Sequence, residues 1–197
     1  WGQWHEWKAA LDRPFVAGVF LWTGIDYLGE ASGKWPKKGS GSGLLDLAGF
    51  EKPRYHMFKS LWNNEPHIYI SSQKLKDSEY EIDSKGKISY KKKEGWKFKT
   101  WKWQDVNEHW NYVHDEQIIV EVISNIDSVE LFLNDQSLGM KYLSDFPDRI
   151  YKWLVPFREG KLVAKNQKME ATIQTALEPA TILLTTDKKQ LNSDGYD

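Results

Sequence analysis

The order of apolar and polar positions divides the chain into two stretches of different texture. In residues 1–65, Trp4 to Leu11 can form a short amphipathic helix. Asp12-Arg13-Pro14 stops it, because a residue preceding proline disfavours the α conformation. Phe15 to Trp22 is an apolar run without polar alternation, which predicts a strand buried on both faces, as in a parallel sheet. A loop rich in Gly, Ser and Lys follows from Gly29 to Gly43, then a short apolar stretch, Leu44-Leu45-Asp46-Leu47. Lys52-Pro53 opens a second helix predicted to run to about Trp62, with the proline near the first position, where its missing N–H costs little. Tyr55, Phe58, Leu61 and Trp62 fall at helical spacing and are expected to face a core.

From Pro66 onward the pattern is all-β. His67 to Ile70, Ile118 to Ile123, Val129 to Leu133 and Leu162 to Ala164 alternate, and Ser124-Asn125, Asn134-Asp135 and Glu159-Gly160 are turn signals. Short strands at roughly ten-residue spacing predict a sandwich of the immunoglobulin type. The clearest hairpin is Val129–Leu133, Asn134-Asp135, Gln136–Gly139, although Asn-Asp is a weaker two-residue turn than Asn-Gly.

Composition narrows the function classes. The 197 residues carry 27 Lys plus Arg against 28 Asp plus Glu, a formal charge of −1, which argues against a nucleic-acid-binding protein. No apolar run approaches the roughly 20 residues of a membrane span. Cysteine is absent, so disulfides and thiolate metal sites are excluded. Eleven Trp, nine Tyr and eight Phe are unusual, and tryptophan faces that stack on pyranose C–H groups make carbohydrate a natural ligand class. For any single Trp, packing of a large ring in a core is the commoner role. Residues 72–103 hold ten Lys against five acidic residues, with Trp96, Phe98, Trp101 and Trp103 interleaved. A strand pair with a solvated lysine face fits better than a single-strand nucleic-acid groove, because acids are mixed among the lysines. His5, His56, His67, His109 and His114 show neither metal spacing nor acidic partners.

One motif is specific. Gly18-Val19-Phe20-Leu21-Trp22-Thr23-Gly24-Ile25-Asp26-Tyr27-Leu28-Gly29-Glu30 resembles the last barrel strand of family 2 glycoside hydrolases, the β-galactosidase and β-glucuronidase group. The resemblance continues through Trp35-Pro36 and Gly43 to Phe50 and on to Trp62. His109-Trp110-Asn111-Tyr112 and Ser124 to Asn134 look like the immunoglobulin-like domain, of the DUF4982 type, that follows the barrel.

The fold class implied is mixed: the last βα unit of a (β/α)8 TIM barrel, residues 1–65, followed by an all-β immunoglobulin-like sandwich, residues 66–180. Residues 181–197 are expected to begin a further, truncated β domain. Strand C-terminal ends form the catalytic face of such a barrel. The resemblance therefore makes Trp22, Asp26, Tyr27 and Glu30 candidate substrate-binding residues, with Trp22 lining the glycone subsite. Asp26, Tyr27 and Glu30 can equally brace the neighbouring loop.

Retaining glycosidases need two carboxylates about 5 Å apart. The family takes them from the ends of its fourth and seventh barrel strands, and this chain is expected to start after the seventh. No catalytic residue is therefore assigned within it. Asn64-Glu65 and Asn107-Glu108 imitate the family's acid/base pair but follow a helix and lie in the β region, respectively. Relatives usually carry an aromatic pair before the glycine at Gly43; Gly41-Ser42 stand there instead and imply a more mobile loop.

The function implied is hydrolysis of O-glycosidic bonds in β-galactoside-like substrates, without cofactor or metal, by a longer polypeptide of which this chain is a part. The expected partners are a carbohydrate substrate and the remainder of the same polypeptide, with no nucleic acid and no membrane span. Family habit places such enzymes in a periplasm or at a cell surface. The alternative is a β-sandwich that binds carbohydrate or acts as a structural spacer. Burial of Trp101, Trp103 and Trp110 separates those two roles.

Overall fold

A computed structural model describes residues 2–29, 36–91, 103–179, 181–186 and 190, with the backbone alone for 2–6. The chain runs α1 (Gly2–Leu11), β1 (Tyr27–Leu28), β2 (Gly39–Ser40), α2 (Pro53–Trp62), β3 (Ile68–Lys74), β4 (Tyr80–Ile82), β5 (Ile88–Tyr90), β6 (Gln117–Ser124), β7 (Ser128–Leu133), β8 (Gln136–Tyr142), β9 (Ile150–Pro156), β10 (Lys161–Lys165) and β11 (Glu170–Gln174). Strand is thus the dominant regular structure, with two α-helices among the described residues. No helix there is long and apolar enough to cross a membrane.

Two antiparallel sheets pack face to face, one ordered β3-β6-β9 and the other β11-β10-β7-β8. Period-two alternation supplies the core between them. Ile68, Ile70, Ile118, Val120, Val122, Tyr151, Trp153 and Val155 from the first sheet meet Val129, Leu131, Leu133, Leu162, Ala164 and Ile173 from the second. The open side between β8 and β9 is stapled by side chains. Trp153 Nε1 donates to Gly139 O at 3.3 Å and Lys141 Nζ donates to Lys152 O at 2.6 Å. In the β7–β8 hairpin Asn134 and Asp135 both take positive φ, 49° and 64°, as the twist-matched two-residue turn demands.

The three-stranded sheet is covered on its other face too. Helix α2 lays Met57 on Tyr69, Ile123 and Ile150, and half-buried Trp103 packs beside them. The β4–β5 hairpin brings Tyr80 over Glu121. Residues Ile118 to Ser124 of β6 are consequently all buried, rather than alternating as the sequence suggests. Asn125 ties the α2–β3 connection down: its amide donates to Asn63 O (3.0 Å) and Glu65 O (2.7 Å) and accepts from His67 N (2.9 Å).

One expected element differs. Phe15 to Trp22 is not a strand, and its rings face solvent, with Phe15 84 % and Trp22 68 % exposed. A strand needs hydrogen-bonding neighbours, and no described strand pairs with this run. Its apolar character is therefore unmatched by burial. Ile182, Leu183 and Leu184 are likewise exposed and without regular structure.

Trp110 is one of the three tryptophans whose burial bears on the role of the sandwich. It is 0 % exposed, packs on Tyr112 and Phe157, and donates Nε1–H to Arg158 O at 2.8 Å. Trp103 is half-buried, and Trp96 and Trp101 lie outside the described residues. The described tryptophans of this stretch are packing residues, not an exposed sugar-binding row. Trp110→Ala is expected to cost about 3–5 kcal/mol, the range for emptying a buried aromatic site. Urea unfolding followed by circular dichroism measures this loss, and a shift under 1 kcal/mol contradicts the packing role.

Candidate functional site

The segment after the apolar run turns back on itself. Tyr27 and Leu28 pair with Ser40 and Gly39, and Ile25 bridges Leu45 in parallel. Leu44 N and Leu45 N donate to Gly24 O at 3.1 and 3.0 Å, and Asp26 N donates to Leu45 O at 2.9 Å. The result is a small knot of backbone between residues 23–28 and 39–45.

Asp26 holds this knot from inside. Its Oδ1 accepts from Gly43 N and from Lys52 Nζ, both at 2.7 Å, and Lys52 Nζ also reaches Gly41 O at 3.2 Å. The ion pair is shielded, with 15 % of the Asp26 side chain and 28 % of the Lys52 side chain exposed, so it is screened less than a surface pair. Gly43 is required by close approach: a Cβ there would lie 2.2 Å from Asp26 N and 2.4 Å from Ile25 C. The described part of the Gly/Ser loop is thus pinned through backbone contacts despite lacking the aromatic pair.

Trp22 and Tyr27 stand on this knot. The Trp22 Nε1–H donates to Tyr27 OH at 3.1 Å, and the rings meet edge to face, with centroids 6.1 Å apart and planes at 88°. The Trp22–Thr23 peptide bond is cis. An exposed indole held by its own N–H offers a flat apolar face with a fixed orientation. The structure therefore brings together Trp22, Asp26 and Tyr27. It commits one oxygen of the Asp26 carboxylate to the loop and to Lys52. Glu30 lies outside the described residues.

The sequence reading took Lys52 as a helix start and Gly43 as a loop glycine, and assigned neither to the candidate site. A lysine before the helix-opening proline carried no signal of its own, because its partner is 26 residues away. It also treated the histidines as unpaired, which the structure corrects. His56 Nδ1 and His67 Nε2 lie 3.3 Å apart in nearly parallel rings, His56 stacks on Tyr69 at 3.8 Å, and His56 Nε2 is 3.7 Å from Glu51 Oε2. His114 also pairs with Asp115 at 3.0 Å. Burial, with neighbouring His67 and Lys59, pushes His56 down to about 3, and burial lowers His67 as well. Among the described residues no group of three or more His, Asp or Glu could hold a metal ion. Of the two glutamates that mimic a catalytic motif, Glu108 accepts the Tyr69 hydroxyl at 2.9 Å, and the Glu65 backbone carbonyl accepts from Asn125.

Comparison with known proteins places this geometry. Residues 115–173 match the domain family described as a domain of unknown function, DUF4982. A β-galactosidase of Bacteroides ovatus is 31 % identical over all of this chain and 20 % of its own length. A putative β-glucuronidase of Formosa agariphila is 31 % identical over 96 % of this chain and 16 % of its own length. A glycosyl hydrolase family 2 member from Bacteroides cellulosilyticus superposes with a TM-score of 0.68 at 29 % identity, over 98 % of this chain and 26 % of that one. The chain is similar to one segment of family 2 glycoside hydrolases. It spans about a fifth of the length of the curated relatives it matches. Similarity covers the Trp22–Tyr27 knot and the sandwich together, since the Bacteroides ovatus match extends over the whole chain.

Two outcomes test this geometry. Lys52→Met leaves Asp26 without its cation, so the variant is expected to unfold at lower urea by about 1–3 kcal/mol, and Lys52→Arg is expected to recover part of that. For the histidine pair the sign is set by the depressed folded-state value. Stability contributed by neutral His56 is present above pH 6.5 and lost as the pH falls toward 3. The wild-type protein should therefore lose stability relative to His56→Gln between pH 7.5 and 5.5; an unchanged difference would show that His56 is not held neutral.

Proposed function

We propose that this chain belongs to a glycoside hydrolase that cleaves O-glycosidic bonds of β-galactoside-like substrates. In this reading residues 1–65 form the last βα unit of a (β/α)8 barrel, residues 66–180 the ancillary immunoglobulin-like sandwich, and residues 181–197 the start of a further domain. The catalytic glutamates come from polypeptide outside the chain, and the whole enzyme works in a periplasm or at a cell surface.

The observation that carries the reading is an exposed indole of fixed orientation. Trp22 is bonded to Tyr27 and seated on the Asp26–Gly43–Lys52 brace, in a chain similar along its whole length to a β-galactosidase. Trp22 supplies the apolar wall of the glycone subsite. Tyr27 orients it and Asp26 positions the loop, while Glu30 is the remaining candidate for sugar hydroxyls. The exposed faces of Phe15 and Phe20 fit a surface that other parts of a barrel cover. For the sandwich, burial of Trp110 favours a spacer over a carbohydrate-binding module.

The chain alone should not turn over a nitrophenyl β-galactoside, because in this reading the carboxylate pair the reaction needs comes from outside it. In the polypeptide that supplies the pair, Trp22→Ala should lower kcat/KM by about 10²-fold, roughly 2.7 kcal/mol of transition-state stabilisation. Melting temperature should barely move, since Trp22 is 68 % exposed in this chain. Unchanged kinetics with a large fall in melting temperature would remove Trp22 from the site.

A further inference from the structure

Beneath the β4–β5 hairpin lies a chain of four oxygens that none of the roles above uses. Tyr80 and Tyr90 are directly opposite each other in the hairpin, and their hydroxyl oxygens are 3.1 Å apart. The Tyr80 oxygen contacts Glu121 Oε1, and the Tyr90 oxygen is 2.9 Å from Asp148 Oδ2. Lys152 closes the far end, with Nζ 2.5 Å from Asp148 Oδ2 and 2.9 Å from Ile150 O. Its ammonium also sits 5.5 and 5.7 Å from the Tyr80 and Tyr90 ring centres.

Proton counting fixes the state of this chain. Three oxygen–oxygen contacts of hydrogen-bond length require three protons, and two phenols supply two. The third must sit on a carboxyl group. Asp148 Oδ2 already accepts from the Lys152 ammonium as well as from Tyr90, so the geometry assigns the third proton to Glu121. With a neutral Glu121 every bond runs one way: Glu121 Oε1–H donates to Tyr80, Tyr80 donates to Tyr90, and Tyr90 donates to Asp148. With an ionised Glu121 one contact is left without a proton, two oxygens facing each other.

We propose that Glu121 is a protonated latch that holds the β4–β5 hairpin on the sandwich, and that its ionisation as the pH rises through neutrality loosens the hairpin. Two further observations agree. Glu121 Oε2 is buried and has no hydrogen-bond partner, which costs a neutral acid far less than a carboxylate. Burial, against the opposing pull of Tyr80 and Lys152, pushes Glu121 up to about 7. Among the described residues the polar surroundings are otherwise Gln104, whose Nε2 is 3.5 Å from Glu121 Oε1, and Ser71 and Lys152 opposite Glu121 on the flanking strands. Tyr69, bonded to Glu108, projects from β3, and Lys141 and Asp145 lie beyond Lys152. The hairpin also walls a cleft of about 520 Å³ that includes Lys87, Ile88, Lys141 and Phe146, so its release would reshape that surface.

A folded-state value above the ordinary one means stability that is present below pH 4.5 and lost as the pH rises through about 7. Two measurements on the 197-residue chain decide the matter. In protein labelled at the glutamate side-chain carboxyl carbon, Glu121 should titrate near pH 7, its resonance identified by loss in Glu121→Gln. Amides of Tyr80–Ile82 and Ile88–Tyr90, corrected for intrinsic exchange, should lose about tenfold or more protection between pH 5.5 and 8.5. In Glu121→Gln, which stays neutral, protection should not change with pH. A carboxyl midpoint near the ordinary glutamate value, or equal pH dependence in wild type and Glu121→Gln, overturns the proposal. Should Glu121→Gln not fold, the count of wild-type glutamate resonances titrating near pH 7 decides alone: one supports the latch and none refutes it.

Discussion

Burial of strand β6 on both faces is the constraint from which the rest of the molecule is arranged. One face of Ile118, Val120 and Val122 closes the sandwich core. The other face, carrying Ile119, Glu121 and Ile123, cannot be left to water, because its apolar side chains need cover and its carboxyl group needs partners. Helix α2 covers the Ile123 end and the β4–β5 hairpin covers the Glu121 end. The position of both elements follows from that division, apolar packing on one side and a hydrogen-bonded network on the other.

The same logic separates a strong attachment from an adjustable one. Met57, Tyr69, Ile123 and Ile150 meet through apolar area, which pH does not alter, although the neighbouring His56–His67 pair adds a sensitivity to acid. The hairpin is held chiefly through two phenols, two carboxyl groups and an ammonium, so its docking depends on where protons sit. An unpaired buried oxygen is costly in such a network, and a neutral Glu121 lowers that cost at its unpartnered Oε2 while supplying the proton the Tyr80 contact needs.

At the other end of the chain the physical theme is reach. Asp26, Gly43 and Lys52 tie together the backbone that carries Trp22, so in the proposed role its exposed face meets a ligand from a braced base. Asp26, read at first as a group equally able to meet a sugar or a loop, spends one oxygen on two internal donors. An exposed aromatic on a rigid base is the arrangement that costs least entropy when a flat ring stacks on it.

The sequence by itself determined the elements whose cause is local. Lys52-Pro53 marked the start of α2, although the helix buries His56, Met57, Phe58 and Ser60 and leaves the expected core residue Trp62 exposed. Asn134-Asp135 marked the β7–β8 turn, and the apolar pattern marked β3, β6, β7 and β10. The Trp-Thr-Gly-x-Asp-Tyr motif also carried the resemblance to family 2 glycoside hydrolases. Tertiary structure alone decided the pairings between distant residues: Asp26 with Lys52, His56 with His67, and Glu121 with Tyr80 across 41 positions. It also decided that Phe15 to Trp22 is not a strand within this chain, since an apolar run becomes a strand only where another strand can accept its hydrogen bonds. Local preference is written in neighbouring residues. Partnership between buried polar groups is written only in the fold that brings them together.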